Sequence, residues 1–409
     1  MINIKLTESQ LALQTMAKEF AEKEVKPIVA ELDKVSNPGA EEAFPWKIVK
    51  KGSELGLRTI PMPKEYGGTM EVDKISELLI LDQIGYADFG CAKMFSQTWK
   101  IIELIALAGT KDQKDRYLPL INKDDTFLTS MAITEPDSGS DMMLPYTGPE
   151  GGVKLSAEPK GKGFVLNGMK HFISLAPQSK LALVAGRTNK AVGGAMGLSF
   201  FLVPKNTKGL SVGRIHDKLG WRSYSGGELI FDNVFVPNED ILGGEVGVMK
   251  IAMAMYASGA FGQLEVSVLL LAGARAAYDL AMSYAKERKQ GGKRIIEHQA
   301  IGLRLAEMFV QLQAADSLVW TTAAAVNSGS YDPKQYVSAR VIAGRVAVDV
   351  CMEAVQIFGG VGMDKDAPVE KLLRDSLMSF HAGGTVDVLK LNICNMVSGE
   401  TLFGKPVIK

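Results

Sequence analysis

The stretch Asp125-Thr126-Phe127-Leu128-Thr129-Ser130-Met131-Ala132-Ile133-Thr134 is where the texture of the chain changes. Upstream of it, Thr7-x-x-Gln10 has the form of a capping box, and Leu11, Leu13, Met16 and Phe20 follow at helical spacing. Helical patterns continue over residues 44–56, 74–85, 92–108 and 111–122. They are broken by a loop at 61–68, where two prolines and a Gly-Gly pair cannot continue a helix. From Phe127 onward, β-branched or aromatic runs at 127–134, 152–158, 163–167, 181–186, 198–204, 210–214 and 228–236 are separated by Gly, Pro, Asn and Lys clusters. Such spacing predicts antiparallel strands in a sandwich or small barrel. The helical period returns near Glu245 and runs through 252–287, 297–328 and 333–358. Long helices apolar over much of their circumference belong in bundles or between subunits. The expected fold class is therefore α+β. It has an N-terminal α-helical domain (1–125), a middle antiparallel β-barrel or sandwich domain (126–243) and a C-terminal four-helix bundle (244–409), in an oligomer.

Composition narrows the functions. The chain has 409 residues, with 46 Lys+Arg against 46 Asp+Glu. That balance leaves no excess of cations to displace phosphate counterions, which argues against nucleic acid as a partner. No unbroken apolar run approaches the roughly 20 residues of a bilayer span, so no membrane insertion is expected. The start MINIKLTESQ lacks the apolar stretch of a secretory signal. Cys91, Cys351 and Cys394 share no C-x-x-C spacing, and there are 4 His, so a reducing cytoplasm and no metal centre are expected.

Several short motifs stand in a fixed order along this frame. They are Ala132-Ile133-Thr134-Glu135-Pro136-Asp137-Ser138-Gly139-Ser140-Asp141, Asn167-Gly168-Met169-Lys170-His171-Phe172-Ile173-Ser174, Lys218-Leu219-Gly220-Trp221-Arg222-Ser223, Phe231-Asp232-Asn233-Val234-Phe235-Val236-Pro237, Gln356-Ile357-Phe358-Gly359-Gly360-Val361-Gly362 and Arg374-Asp375. Taken together, the chain resembles the acyl-CoA dehydrogenase superfamily over nearly its whole length. The resemblance implies FAD as cofactor and an acyl-CoA thioester as substrate. A flavin needs an apolar or aromatic wall and hydrogen-bond partners at its pyrimidine edge. The resemblance assigns the wall to Phe172 and the edge to Thr134 and Ser174. It places Arg288, Gln299, Gln356 and Gly360 at the FAD diphosphate and adenosine across a subunit interface, and Thr385 and Asp387 near the FAD phosphates. Ser140 falls where the family binds the pantetheine of CoA. Gly291-Gly292 stands where the family prefers Phe-Gly, and Asp387 where it usually has Gln.

The family's reaction removes an α-proton with a carboxylate while a β-hydride leaves to the flavin. That carboxylate is usually a Glu before Gly-Thr, beyond the Arg-Asp pair. Counting from Arg374-Asp375 without a gap places Gly383 there, in Ala382-Gly383-Gly384-Thr385. A glycine has no side chain to take a proton, so the chain reads as a divergent member lacking the usual catalytic Glu. Its backbone N–H still suits the thioester oxygen. Members with the base on an earlier helix have it at a position matching 259–262, which holds no carboxylate either. Glu265 just past it is a candidate substitute base, and His381 is the other nearby group that titrates near neutrality. Lys93 falls on the helix that lines the acyl pocket in the resembling enzymes, where a buried cation pairs with an anionic acyl end.

The leading expectation is α,β-oxidation of an unusual, acidic or cyclic acyl-CoA, with electrons passed to an electron-transferring flavoprotein. The enzyme is expected as a homotetramer, a dimer of dimers. Two alternatives stay open: non-oxidative β-elimination (desulfination) or enoyl-CoA reduction on the same scaffold, and a catalytically silent subunit of a hetero-oligomer.

Overall fold

The computed structural model describes residues 6–35, 43–69, 72–144, 148–248, 251–252, 262–330 and 332–399. Positions 259–261 of the alternative base window lie outside them. The first helices are α1 (Glu8–Phe20), α2 (Val29–Lys34), α3 (Trp46–Glu54), α4 (Lys74–Ala87), α5 (Phe89–Ala108) and α6 (Lys111–Lys123). Their starts are chemically marked. Thr7 and Gln10 make the reciprocal capping box at α1, Thr110 and Gln113 repeat it at α6, and Asp73 and Asp88 cap α4 and α5.

The middle segment contains β1 (Leu128–Ala132), β2 (Ser156–Lys160), β3 (Gly163–Ser174), β4 (Ser179–Arg187), β5 (Leu198–Pro204), β6 (Leu210–Ile215) and β7 (Gly226–Pro237) in one seven-stranded sheet. The order is β1-β4-β2-β3-β7-β6, with β5 also on β4. Most pairs are antiparallel, but β1 runs parallel to β4, with Thr129 opposite Leu181 and Ala132 opposite Val184. This departs from the all-antiparallel expectation. The connection between β1 and β4 spans two further strands and so need not be a hairpin.

The last segment holds α7 (Gln263–Glu287), α8 (Gln299–Asn327), α9 (Pro333–Phe358), α10 (Pro368–Leu377) and α11 (Val386–Ser398). Among the described residues α7, α8 and α9 are the long helices of this domain, and α10 and α11 are shorter. Short turns at Gly359–Met363 and Met378–Phe380, with two positive-φ glycines at 383 and 384, divide the final stretch. By length and composition α7 is apolar enough to cross a membrane, but it is mostly buried inside the protein as a core helix.

The two helical segments, far apart in sequence, share one core. Leu78, Leu81 and Ile84 of α4 pack in the same cluster as Leu269 and Leu271 of α7 and Val350 of α9. At Gly85 the approach is so close that a Cβ would stand 2.5 Å from Leu269 Cδ2. The sheet has a second core, which takes Ile101 and Ile105 from α5 and Leu118 from α6. Helix α5 therefore lies between both cores, and the site forms along it.

Candidate active site

The aromatic wall rests on a buried ion pair. Lys170, with no exposed side-chain surface, donates to Glu135 Oε1 and to the Ile133 carbonyl, each at 2.8 Å. Glu135 also accepts the Lys154 and Leu155 amides at 2.7 and 2.8 Å. Burial pulls the Lys170 ammonium down to about 8, opposed by Glu135. The pair fixes the chain on both sides of Thr134, whose carbonyl accepts the His171 amide at 2.8 Å. A register shift in β3 between Lys170 and Ile173 puts Phe172 at φ 55. The ring is thereby turned outward, 63% exposed. His216 Nε2 lies 3.3 Å from the Phe172 amide, which donates to it, and the His171 and His216 rings flank Phe172 at 4.2 and 4.6 Å. Next along the strand, Ser174 shares a hydrogen bond with Tyr224. An exposed aromatic face, with Tyr224 donating to Gln97 Oε1 at 3.4 Å and Gln97 Nε2 buried without a described partner, fits a flavin ring with its polar edge.

The second part of the site is a junction of loops. Asp141 accepts the Gly139 and Gly152 amides at 2.8 and 2.7 Å and so shapes the turn that carries Ser140. Ser140 Oγ then accepts the Thr385 amide at 2.9 Å. Two residues earlier, Gly383 has φ 70, and among the described residues its N–H has no acceptor. Gln263 Nε2 donates to the Gly383 carbonyl at 2.7 Å. The buried Arg340 guanidinium donates to the carbonyls of Ser379 and Ala382. A Cβ at Gly383 would meet nothing closer than Gln263 Nε2 at 3.7 Å, so the place where a side chain is missing opens toward Gln263.

Behind Gln263 lies a buried group of charges between α4, α5 and α7. Lys93 Nζ is 2.8 Å from Glu265 Oε2 and 3.0 Å from Ser96 Oγ. Lys74 bridges Glu77 and Glu103, the latter at 2.8 Å. Burial pushes the Glu265 carboxyl up, but the ammonium groups of Lys93, Lys100 and Lys74 outweigh it and hold it at about 2. A carboxylate so strongly held in its ionised form is a weak proton acceptor, which limits Glu265 as a base in this arrangement.

The structure brings together Thr134, Phe172 and Ser174 on one wall, Ser140, Gly383 and Thr385 on one junction, and Lys93 with Glu265 in one ion pair. It leaves others apart. Arg288, Gln299, Gln356, Gly360 and His381 are exposed, and the Asp387 side chain is 92% accessible, 3.4 Å from Lys390. Gln263, Gln97, Tyr224, Lys100 and His216 escaped the sequence reading. One signal was available: Lys93, Ser96, Gln97 and Lys100 recur at helical spacing in an otherwise apolar helix, which makes a polar stripe facing inward.

Models of the acyl-CoA dehydrogenase N-terminal, middle and C-terminal domains match residues 7–125, 130–234 and 252–397. The chain is 33% identical over 397 residues to the short-chain specific acyl-CoA dehydrogenase of Clostridium acetobutylicum, covering 97% of this chain and 100% of that one. It is 33% identical to the acryloyl-CoA reductase (NADH) of Anaerotignum propionicum, covering 97% and 96%. Among solved structures, a chain in the structure of the electron transferring flavoprotein of Acidaminococcus fermentans superposes with a TM-score of 0.86 at 32% identity, covering 97% and 99%.

Proposed function

Since the chain belongs to the acyl-CoA dehydrogenase family, whose cofactor is FAD, we propose that it is a cytoplasmic flavoenzyme acting at Cα–Cβ of an uncommon acyl-CoA and passing electrons to an electron-transferring flavoprotein. The observation that carries this reading is the Ser140–Thr385–Gly383 junction, where the Gly383 amide, without an acceptor among the described residues, lies beside the turn assigned to CoA. FAD, once bound, supplies the two-electron acceptor. Phe172, Thr134 and Ser174 hold its ring, and Thr385 and Asp387 lie toward its phosphates. Arg288, Gln299, Gln356 and Gly360 serve its diphosphate and adenosine from a second subunit. Their exposure in a single chain supports that arrangement. So do the exposed apolar residues near them, Leu303 and Val310 on α8 and Met363 in the turn after α9, at 72%, 60% and 79% exposure. We assign the same face to assembly as a dimer of dimers.

Within the site, the Gly383 N–H holds the thioester oxygen and stabilises the charge that develops there as the α-proton leaves. Gln263 and Arg340 keep that amide in place through the carbonyls of 379, 382 and 383. With Gly383 in place of a carboxylate and Glu265 tied to Lys93, the substrate's own α-acidity or a β-leaving group must carry more of the reaction. The test is anaerobic mixing of FAD-loaded protein with a panel of acyl-CoA thioesters. Bleaching of the flavin with a desaturated product supports the proposal; a panel that leaves both colour and thioesters unchanged overturns it. Similarity to an acryloyl-CoA reductase favours a second reading, enoyl-CoA reduction with electrons flowing inward from the flavoprotein partner. Product mass decides between them, since reduction adds two hydrogens to the acyl chain and oxidation removes two.

A further inference from the structure

The polar stripe of α5 does work that neither the flavin nor the thioester accounts for. Three ammonium groups (Lys74, Lys93, Lys100) and three carboxylates (Glu77, Glu103, Glu265) are packed between α4, α5 and α7. Lys74 is answered by two carboxylates and Lys93 by one. Lys100 has no ion pair or hydrogen bond among the described residues. It keeps part of its surface accessible although it lies deep between helices. Its position is specific. Gly262, the left-handed N-cap of α7, would place a Cβ 2.8 Å from Lys100 Nζ and 3.8 Å from Glu265 Oε2. The next residue, Gln263, holds the Gly383 carbonyl. The free ammonium therefore stands one side chain's reach inward from the thioester junction. Two further polar atoms nearby, Gln263 Oε1 and Gln97 Nε2, belong to residues 5% and 4% exposed and have no partner among the described residues. Burying unpaired polar atoms is costly, and a ligand that pairs them removes the cost.

Resting on the flavoenzyme reading above, we propose that Lys100 and this stripe receive the far end of the acyl group, and that the substrate is a short acyl-CoA ending in an oxyanion. The pairing agrees. Glu77 and Glu103 turn to Lys74 and Glu265 to Lys93, so among the described residues Lys100 is the ammonium left without an ion-pair partner. Burial and Lys93 together pull Lys100 down to about 8, and an anion beside it restores the charged form. An oxyanion at Lys100 also cancels one of the ammonium charges that hold Glu265 ionised, which makes Glu265 a better proton acceptor only when the right substrate is present.

The test uses the FAD-loaded full chain and thioesters matched in carbon number: succinyl-CoA against butyryl-CoA, and glutaryl-CoA against valeryl-CoA. Dissociation constants come from calorimetry, and flavin bleaching is followed separately. The wild type is expected to bind the anionic member of at least one pair tighter by roughly tenfold or more, the worth of a charge-assisted hydrogen bond. Lys100→Met is expected to erase that preference and Lys100→Arg to keep it. The preference should also fade as pH rises through about 8, where Lys100 loses its proton amid Lys93, Glu103, Lys74, Glu77 and Glu265. Equal or weaker binding of both anionic members, or a preference that survives Lys100→Met, overturns the proposal. If the neutral thioesters then still bleach the flavin, the flavoenzyme reading stands without it. If no thioester binds to flavin-loaded protein, both fall.

Discussion

Two buried charge clusters rest on α5, built from the same kinds of residue, and they differ in completeness. At the start of the helix, Lys371 of α10 stands 2.7 Å from Asp88 and 2.6 Å from Asp375. Asp375 accepts the Trp221 amide at 2.6 Å, and Asp88 accepts Cys91 N–H and the Ser223 hydroxyl. Lys218 donates to the carbonyls of Trp221 and Tyr224 and adds the second cation facing the two acids. Both acids there are paired with Lys371 and Lys218 is held by the two carbonyls, while Phe89 and Trp221 stack over the cluster at 3.9 Å with planes 1° apart, Trp221 Nε1 lacking a partner among the described residues. The cluster ties all three sequence segments together. In the middle of the helix, the cluster around Lys93 and Glu265 leaves Lys100, Gln97 Nε2 and Gln263 Oε1 without partners among the described residues. A satisfied network locks a fold, whereas an incomplete one beside an open junction is the mark of a site.

The sharpest way to break that contrast is to make the first cluster incomplete. Lys371→Met leaves Asp88 and Asp375 buried against each other without their shared cation. It should cost about 3–5 kcal/mol, measured as a fall in the urea midpoint of the FAD-loaded protein. A loss under about 1 kcal/mol would show that the cluster is not a lock. Acid provides the next largest effect. The folded Glu265 carboxyl is held near 2, below its value of 4.5 in a model compound. Its contribution is therefore present above about 4.5 and is lost as pH falls toward 2, amounting to roughly 3 kcal/mol at most. Glu265→Gln should flatten this part of the stability-against-pH curve. An unchanged curve would mean that the Lys93 pair does not hold Glu265 ionised.

Much of this architecture was readable from the residues, and what was not has physical reasons. The capping box at Thr7 and Gln10 is local, so the sequence displays it directly. The parallel pairing of β1 with β4 is set by register between distant segments and leaves no local mark. Phe172 stood out through its motif, but the bulge that turns it outward depends on pairing with β7. Glu135 and Lys170 were visible as motif letters, and only the fold shows them as one ion pair beneath the wall. Lys93 and Glu265 were singled out for separate roles because they stand 172 positions apart, and the shared core of α4, α5 and α7 puts them in contact. Lys100 was passed over for the same reason. A lysine on a helix usually snorkels to water, and nothing local reveals that helices from both ends of the chain cover that face.

The smallest predicted effect separates the two clusters most cleanly, because its sign is opposite to that at Lys371. Lys100→Met removes a buried cation with no partner among the described residues, so it should stabilise the ligand-free protein, by roughly 1 kcal/mol once the side chain's remaining contact with water is allowed for. The pH dependence fixes the cause. Lys100 is depressed to about 8 in the fold against 10.5 in a model compound. Below 8 it is charged in both folded and unfolded chains, and the fold bears the full burial penalty. Between about 8 and 10.5 the folded protein sheds the proton first, so wild-type stability rises with pH and closes the gap to the variant. Paired melts of wild type and Lys100→Met at pH 6.5 and at pH 10 should therefore show the variant's advantage only at the lower value. A variant that is less stable at pH 6.5 would mean that Lys100 is an answered charge like Lys371, and the incomplete cluster would then be a second lock.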